Sequence, residues 1–486
     1  MPTTKATSLA NTASQAADAI INGLTVGLGG GSVATNTAVG YQAGYSNTTG
    51  AYVTAVGYQA GYSNTTNNFA TALGYAALYL TTGANNTGLG AGAGYAMTSG
   101  TDNTAVGFSA IGNQTMTGSY NTSVGSQAMY QATTSTSNTA VGYRPLYNIT
   151  TGSYNTAIGQ SALQNNTTAS YNTAVGYVAG QYNTTGRITA VGAYALQNNT
   201  TGTSNTAVGG NDGTTDGALY LNTTGSANTA MGVGALKSNT TASNNTAVGY
   251  QAAYSTTTSN GNSAFGGIAL QNNTTGANNT AIGYGALNSN ISSTGLTAVG
   301  YQAGYNTTAN SNTFLGYQCG TNLTTGTNCT YIGAAAVASG SAASQEIVIC
   351  SGNGATGKGA NTAFITANGG GTYNGANTTT FATTSDQRLK KNIVDNNTGL
   401  DVISKIQVRN FEYRLPEEVT ELEAHCAIEK TGVQLGVIAQ EIQKVSPEFV
   451  KQESTGVLSV DSDNLIWYLV NAVKELKAEI DLLKGK

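Results

Sequence analysis

Few side chains in this sequence have the chemistry to act on a ligand or a bond. Residues 1–384 hold five carboxylates (Asp18, Asp102, Asp212, Asp216, Glu346), five Lys/Arg and no histidine. Asp212 and Asp216 stand together in NDGTTDG, the kind of surface loop that holds a cation or another ligand. They are also the pair there that could serve as the two carboxylates of a glycosidase. A plain solvated loop is the simpler reading. Leu28-Gly29-Gly30-Gly31-Ser32 has the glycines of a phosphate loop but neither the lysine nor the helix that completes one. The single histidine, His425, neighbours Cys426 in EAHCAIEK, and without a second ligand pair it is read as no metal site. The remaining place is TTSDQRLKKNI (Thr383–Ile393), where Ser385 stands among Arg388, Lys390 and Lys391. A serine needs a base to attack a carbonyl. Lysine can replace histidine there if desolvation or a neighbouring cation makes it neutral.

The rest of the chain must hold these groups, and its composition is unusual. Of 486 residues, 64 are glycine and 8% are charged, against about a quarter charged in ordinary domains. Disordered chains pair low hydrophobicity with high charge, whereas this one is 40% apolar. The last 102 residues carry 13 of the 18 basic and 17 of the 22 acidic side chains. A neutral body is thus followed by a normally charged domain. A net charge of −4 without a basic patch argues against nucleic acid as a partner. Four cysteines form neither a disulfide framework nor a zinc motif. No run of 18 apolar residues predicts membrane insertion, and the N-terminus lacks a signal-peptide apolar core. The reading is a soluble protein with no metal and no cofactor.

The body is one repeat. Aligned on TAVG, its glycines run from Gly40 to Gly333 in seventeen intervals, twelve of them of 17 residues, four of 16 or 18, and one of 23 between Gly209 and Gly232. A short fixed period means a solenoid. Seventeen residues suit one coil with a strand, joined by Asn/Gly turns. The period of two places Thr37, Val39 and Tyr41 on one face, and Ala38 and Gly40 on the other. We expect Val39, Val56, Val106, Val141, Val175, Val248 and Val299 inside the coil and Asn36, Asn103 and Asn138 at its turns. The tyrosines are expected to form a structural ladder, and the many N-x-T sites to be turn ladders instead of glycosylation sites. One Val and one or two Ala per coil is too thin a core for 17 ordered residues, so several chains are expected to wind together.

The NTAVGY unit resembles the repeats of trimeric autotransporter adhesin heads and, more closely, those of bacteriophage tail fibres, over roughly Ile21 to Ile365. It implies an all-β trimeric repeat solenoid, a left-handed parallel β-roll. The chain departs from the adhesins in repeat length and in lacking a C-terminal membrane anchor. A bacterial surface adhesin is the alternative.

From Ser385 on, the sequence resembles the endosialidase-type intramolecular chaperone, a self-cleaving serine peptidase. The S-D-x-R-x-K-x-N-I start, GVIAQEIQKVSPEFV (Gly436–Val450) and the terminal LIWYLVNAVKELKAEIDLLK carry it. The resemblance implies a dyad of Ser385 and Lys390, with Lys391 an open alternative as base, and cleavage between Thr384 and Ser385. Asp386, Arg388 and Asn392 match the motif as supporting residues. Ile466, Leu469, Val473, Leu476, Ile480 and Leu483 alternate at three and four residues, a coiled-coil seam; following the family, it is expected to be trimeric. The expected organisation is a virion-attachment segment at 1–20, a β-roll shaft at 21–333, and last coils with a linker at 334–384. A small α+β chaperone domain fills 385–486 and ends in a helix at 465–484. The expected partners are two further copies of the chain, virion tail or baseplate proteins at the N-terminus, and a host surface glycan or protein. The expected place is the virion tail, after synthesis in the host cytoplasm.

Overall fold

The computed structural model describes residues 19–21, 24–112, 114–351, 354–367, 370–374, 382–383, 387, 390–419, 430–452, 456–462 and 464–485. The chain forms two compact units, Met1–Thr384 and Ser385–Lys486.

The first unit is a β-solenoid. Twenty described strands, from Thr37–Val39 to Ala363–Ala367, follow at the repeat spacing and pair in parallel. Thr37 lies opposite Thr54, Ala38 opposite Ala55 and Val39 opposite Val56. The register survives the 23-residue interval, where Ala207 faces Ala230 and Val208 faces Met231. Both ends close with reversed strands. Leu24–Gly27 runs antiparallel to Thr37–Val39, and Gly370–Asn374 runs antiparallel to Ala363–Ala367.

The glycine after each strand is dictated by two constraints. Gly142 has φ 134°, which L-residues rarely adopt. A Cβ there would also stand 2.8 Å from the Gly159 carbonyl oxygen of the next coil. The chain then turns sharply, and the buried Leu163, Leu196 and Leu270 sit near φ +50°. That conformation costs roughly 1–2 kcal/mol per non-glycine residue, which burial of each leucine, at about 1.5–3 kcal/mol, offsets.

The inside and outside of the strand are opposite to the expectation. Ala140, Ala157, Ala174 and their equivalents are fully buried. Val39, Val56, Val106, Val141, Val175, Val248 and Val299 are half-exposed on the outer face. A coil with a single three-residue strand encloses a narrow interior. Alanine from the strand and leucine from the turn fill it in most coils, while the last coils put Phe314, Tyr331 and Val348 in the same inner column. Where the turn residue is glycine, another side chain enters. The Phe314 ring lies against Gly304 and Gly320, where an added Cβ would meet it at 2.6 and 2.2 Å.

The asparagines before the strands are also buried. Asn36, Asn103 and Asn138 are no more than 5% exposed. They form an internal ladder. Asn138 Oδ1 accepts from the backbone N–H of Asn155 at 2.9 Å and from its Nδ2 at 3.1 Å, while Asn138 Nδ2 donates to the Gly152 carbonyl at 3.1 Å. Each amide satisfies backbone groups that the narrow coil would otherwise bury without partners. The tyrosines form outer ladders as expected: Tyr41, Tyr58 and Tyr75 stack at 5.4 Å between successive centroids.

The second unit is small and α+β. Strands Arg409–Phe411 and Gln434–Gly436 pair antiparallel, as do Val450–Gln452 and Leu458–Val460. Its helices are α1 (Leu400–Ile403), α2 (Ala439–Val445) and α3 (Leu465–Leu483). Gly399 packs against the α3 backbone, where a Cβ would lie 2.2 Å from the Ala472 nitrogen. The Leu400 N–H donates to Glu475 at 2.8 Å. Arg409 holds Glu441 of α2 by two bonds, at 2.9 and 3.1 Å, and that pairing keeps the Glu441 carboxyl below its ordinary range.

Candidate functional site

The junction between the units is the first candidate. Strand Ala382–Thr383 pairs antiparallel with Thr372 and Tyr373 and leads up to it. Thr384, Ser385, Asp386 and Arg388 lie outside the described residues. On the far side, the Lys390 N–H donates to the Gln387 carbonyl at 3.1 Å. Lys390 and Lys391 are exposed, and Asn392 turns the chain at φ 56°. The division between compact units falls on the Thr384–Ser385 bond.

The two acids of the insertion loop take different partners. Asp212 turns inward on its own loop, accepting from the N–H groups of Thr214 and Thr215 at 2.9 and 2.6 Å. Those two backbone donors, with the Thr214 hydroxyl, hold its carboxyl below the usual range. Asp216 faces Lys237 at 3.1 Å, and Lys237 also donates to the Tyr254 hydroxyl at 3.0 Å. Among the described residues, no group of three His, Cys, Asp or Glu could hold a metal ion. His425 and Cys426 lie outside the described residues.

Helix α3 presents the third feature. Ile466, Leu469, Val473, Leu476, Ile480 and Leu483 are all exposed, and Ala472 is its buried residue. No described helix is long and apolar enough to cross a membrane.

Residues 385–451 match the family described as chaperone of endosialidase. The C-terminal unit carries an endosialidase-type chaperone domain. The match begins at Ser385, the residue at which the second compact unit begins. The chain is also similar to a probable tail fiber protein of Escherichia phage Phieco32, 27% identical over 108 residues. That stretch is 21% of this chain and 13% of the relative. No solved structure matches the chain. A repeat β-solenoid followed by this chaperone domain, together with that similarity, has the build of a phage tail fibre with a C-terminal chaperone.

One polar cluster had no signal in the repeat reading. Glu346 is fully buried where the repeat has asparagine. It accepts from the Tyr331 hydroxyl at 2.8 Å and from the N–H groups of Ser339 and Gly359 at 3.1 and 2.9 Å. An acid at the ladder position, with a tyrosine in the alanine column one coil earlier, is the mark that would have found it.

Proposed function

We propose that the chain is a homotrimeric phage tail fibre that binds the host surface, and whose chaperone domain drives trimer folding and is then released by self-cleavage at Thr384–Ser385. The observation that carries the assembly is the outward apolar column of the solenoid. Val39, Leu73, Ile158, Phe265 and Leu315 stand in one file up the parallel sheet, at up to 46% exposure. A long apolar file on parallel strands invites a partner. A second copy carries the same file at the same spacing, so identical chains can cover it along its whole length. The exposed seam of α3 repeats that demand at the C-terminus.

The N-terminal segment is the proposed tether to other tail or baseplate proteins, and the outer surface of the shaft is the proposed contact with a host glycan or protein. This reading places the mature chain in the virion tail after synthesis in the host cytoplasm. Light scattering on the uncut Ser385→Ala protein tests the assembly: three times 49.1 kDa is expected, and a stable folded monomer would overturn it. Adhesion of the purified fibre to intact host cells tests receptor binding.

A further inference from the structure

We propose that Arg144 is the centre of a surface site for carboxylate-bearing saccharides. The inference deepens the host-binding reading above and rests on it.

Two residues after the strand glycine, many coils carry a glutamine whose amides form a ladder. Gln59 Nε2 donates to Gln42 Oε1 at 2.9 Å, and Gln318 donates to Gln302 at 3.0 Å. Arg144 occupies that position at φ 56°, the conformation its glutamine equivalents adopt. Its Nε alone donates to Gln127 Oε1, at 2.7 Å. The guanidinium therefore does the work of a glutamine amide with one N–H and carries its two terminal amines beyond what the ladder uses.

The charge is held in place by rings. The guanidinium carbon lies 5.0 Å from the Tyr143 centroid and 5.2 Å from that of Tyr147, which stacks on Tyr130 at 5.2 Å. Among the described residues, no carboxylate pairs with Arg144. Lys237, which also lies over a ring, is neutralised by Asp216. Arg187 leans on the single ring of Tyr171.

A fixed guanidinium fork takes a planar carboxylate through two parallel bonds. One isolated cation matches a monoanion, which favours a carboxylate over a doubly charged phosphate. The flanking Tyr143 and Tyr147 rings offer apolar faces with polar tips, suited to the C–H face of a pyranose. Gly142, at φ 134°, turns the chain between Val141 and Tyr143.

The test titrates the full-length protein with a hyaluronan oligosaccharide and with the same oligosaccharide after reduction of its carboxylates to alcohols. The acid form should bind, and either reduction or Arg144→Gln should weaken binding about tenfold or more. Arg144→Gln retains a ladder donor, so its thermal midpoint should match wild type. Equal binding by Arg144→Gln, equal binding of the two sugars, or no binding of the acid form would overturn the site. Adhesion to host cells reads binding through any residue, so fibres that adhere equally with and without Arg144 sink this site and leave the host-binding reading standing.

Discussion

Tyr331 reaches across the coil interior and donates its hydroxyl to Glu346 at 2.8 Å, with both residues fully buried. The tyrosine starts in the alanine column, and the acid stands where the asparagine ladder would continue. Tyr331→Phe removes one of the three donors described above and should cost about 1–2 kcal/mol. Glu346→Ala leaves the hydroxyl and two backbone N–H groups buried without an acceptor. It should cost more than Tyr331→Phe, by at least about 1 kcal/mol. Thermal unfolding of the two variants checks the order, and the reverse order would refute Glu346 as the acceptor that holds this cluster together.

The inverted strand face predicts a matched pair of substitutions. Ala207 is fully buried, while its neighbour Val208 is 36% exposed. Ala207→Leu overpacks the narrow coil and should destabilise by about 1–3 kcal/mol. Val208→Thr should leave the coil within about 0.5 kcal/mol of wild type, as surface changes do, and show its effect in assembly by light scattering. A tolerated Ala207→Leu would mean that the interior is wider than this packing allows.

The repeat period, the parallel register and the terminal helix were legible because each is a spacing, and spacing survives in one dimension. Which strand face points inward was not legible. A period of two separates Val39 from Ala38 without saying which of them faces the interior, and here the leucines of the turn share that interior with the alanines. The buried role of Asn36 and Asn138 was hidden for a related reason. Asparagine suits a turn on local grounds, but here its amide also serves the backbone of adjoining coils. Asp212 and Asp216 were visible as a pair, yet the contacts that separate them come from Thr214, Thr215 and Lys237.

Alkaline pH should loosen the C-terminal coils. Burial pushes the Cys319 thiol from 9.0 up to about 12. Burial, then the bond to Glu346, raises the Tyr331 phenol well above its ordinary 10.0. In the unfolded chain both lose their protons earlier. Above about pH 9 the folded state therefore holds more protons, and stability falls as pH rises. Cys319 acts between about pH 9 and 12, and Tyr331 adds its share above about pH 10. Cys319 sits in an alanine column, so Cys319→Ala should fold and lose less stability between neutral pH and about pH 10.5. Thermal midpoints at the two pH values decide it, and an equal loss in both proteins would remove the thiol as a cause.

The insertion should be dispensable for the stack. Deleting Asn211–Asp216 shortens the Gly209–Gly232 interval from 23 to 17 residues. Gly217 should be kept, because it packs against the Ala193–Ala195 backbone. Lys237 loses its partner carboxylate, a half-exposed pair worth about 0–1 kcal/mol. Assembly by light scattering should be unchanged and the thermal midpoint nearly so. Loss of assembly would make the loop a structural part of the fibre.

The last prediction concerns the bond between Thr384 and Ser385, where the compact units divide and the family match begins. Parallel coils from several chains must start in register, and such non-local pairing is slow and prone to misassembly. A domain that gathers chain ends through the α3 seam would supply a starting point. The proposed dyad has Ser385 Oγ attacking the Thr384 carbonyl while Lys390 takes its proton and passes it to the Ser385 nitrogen as the peptide bond breaks; water then hydrolyses the ester, freeing the Thr384 carboxylate and the Ser385 hydroxyl. Lysine serves as a base only when desolvated or crowded by another cation, and Lys390 is exposed in the single chain. Assembly would therefore have to complete the site, which makes cutting a report on correct folding. Wild type should separate into a body ending at Thr384 and a fragment beginning at Ser385. Ser385→Ala and Lys390→Ala should each stay full length while still assembling. Leu469→Asp, which places a charge in the exposed seam, should leave the chain both unassembled and uncut. Mass spectrometry with light scattering reads all four proteins. Cutting of Ser385→Ala would exclude the serine as nucleophile, and cutting of an unassembled Leu469→Asp chain would break the link between assembly and release.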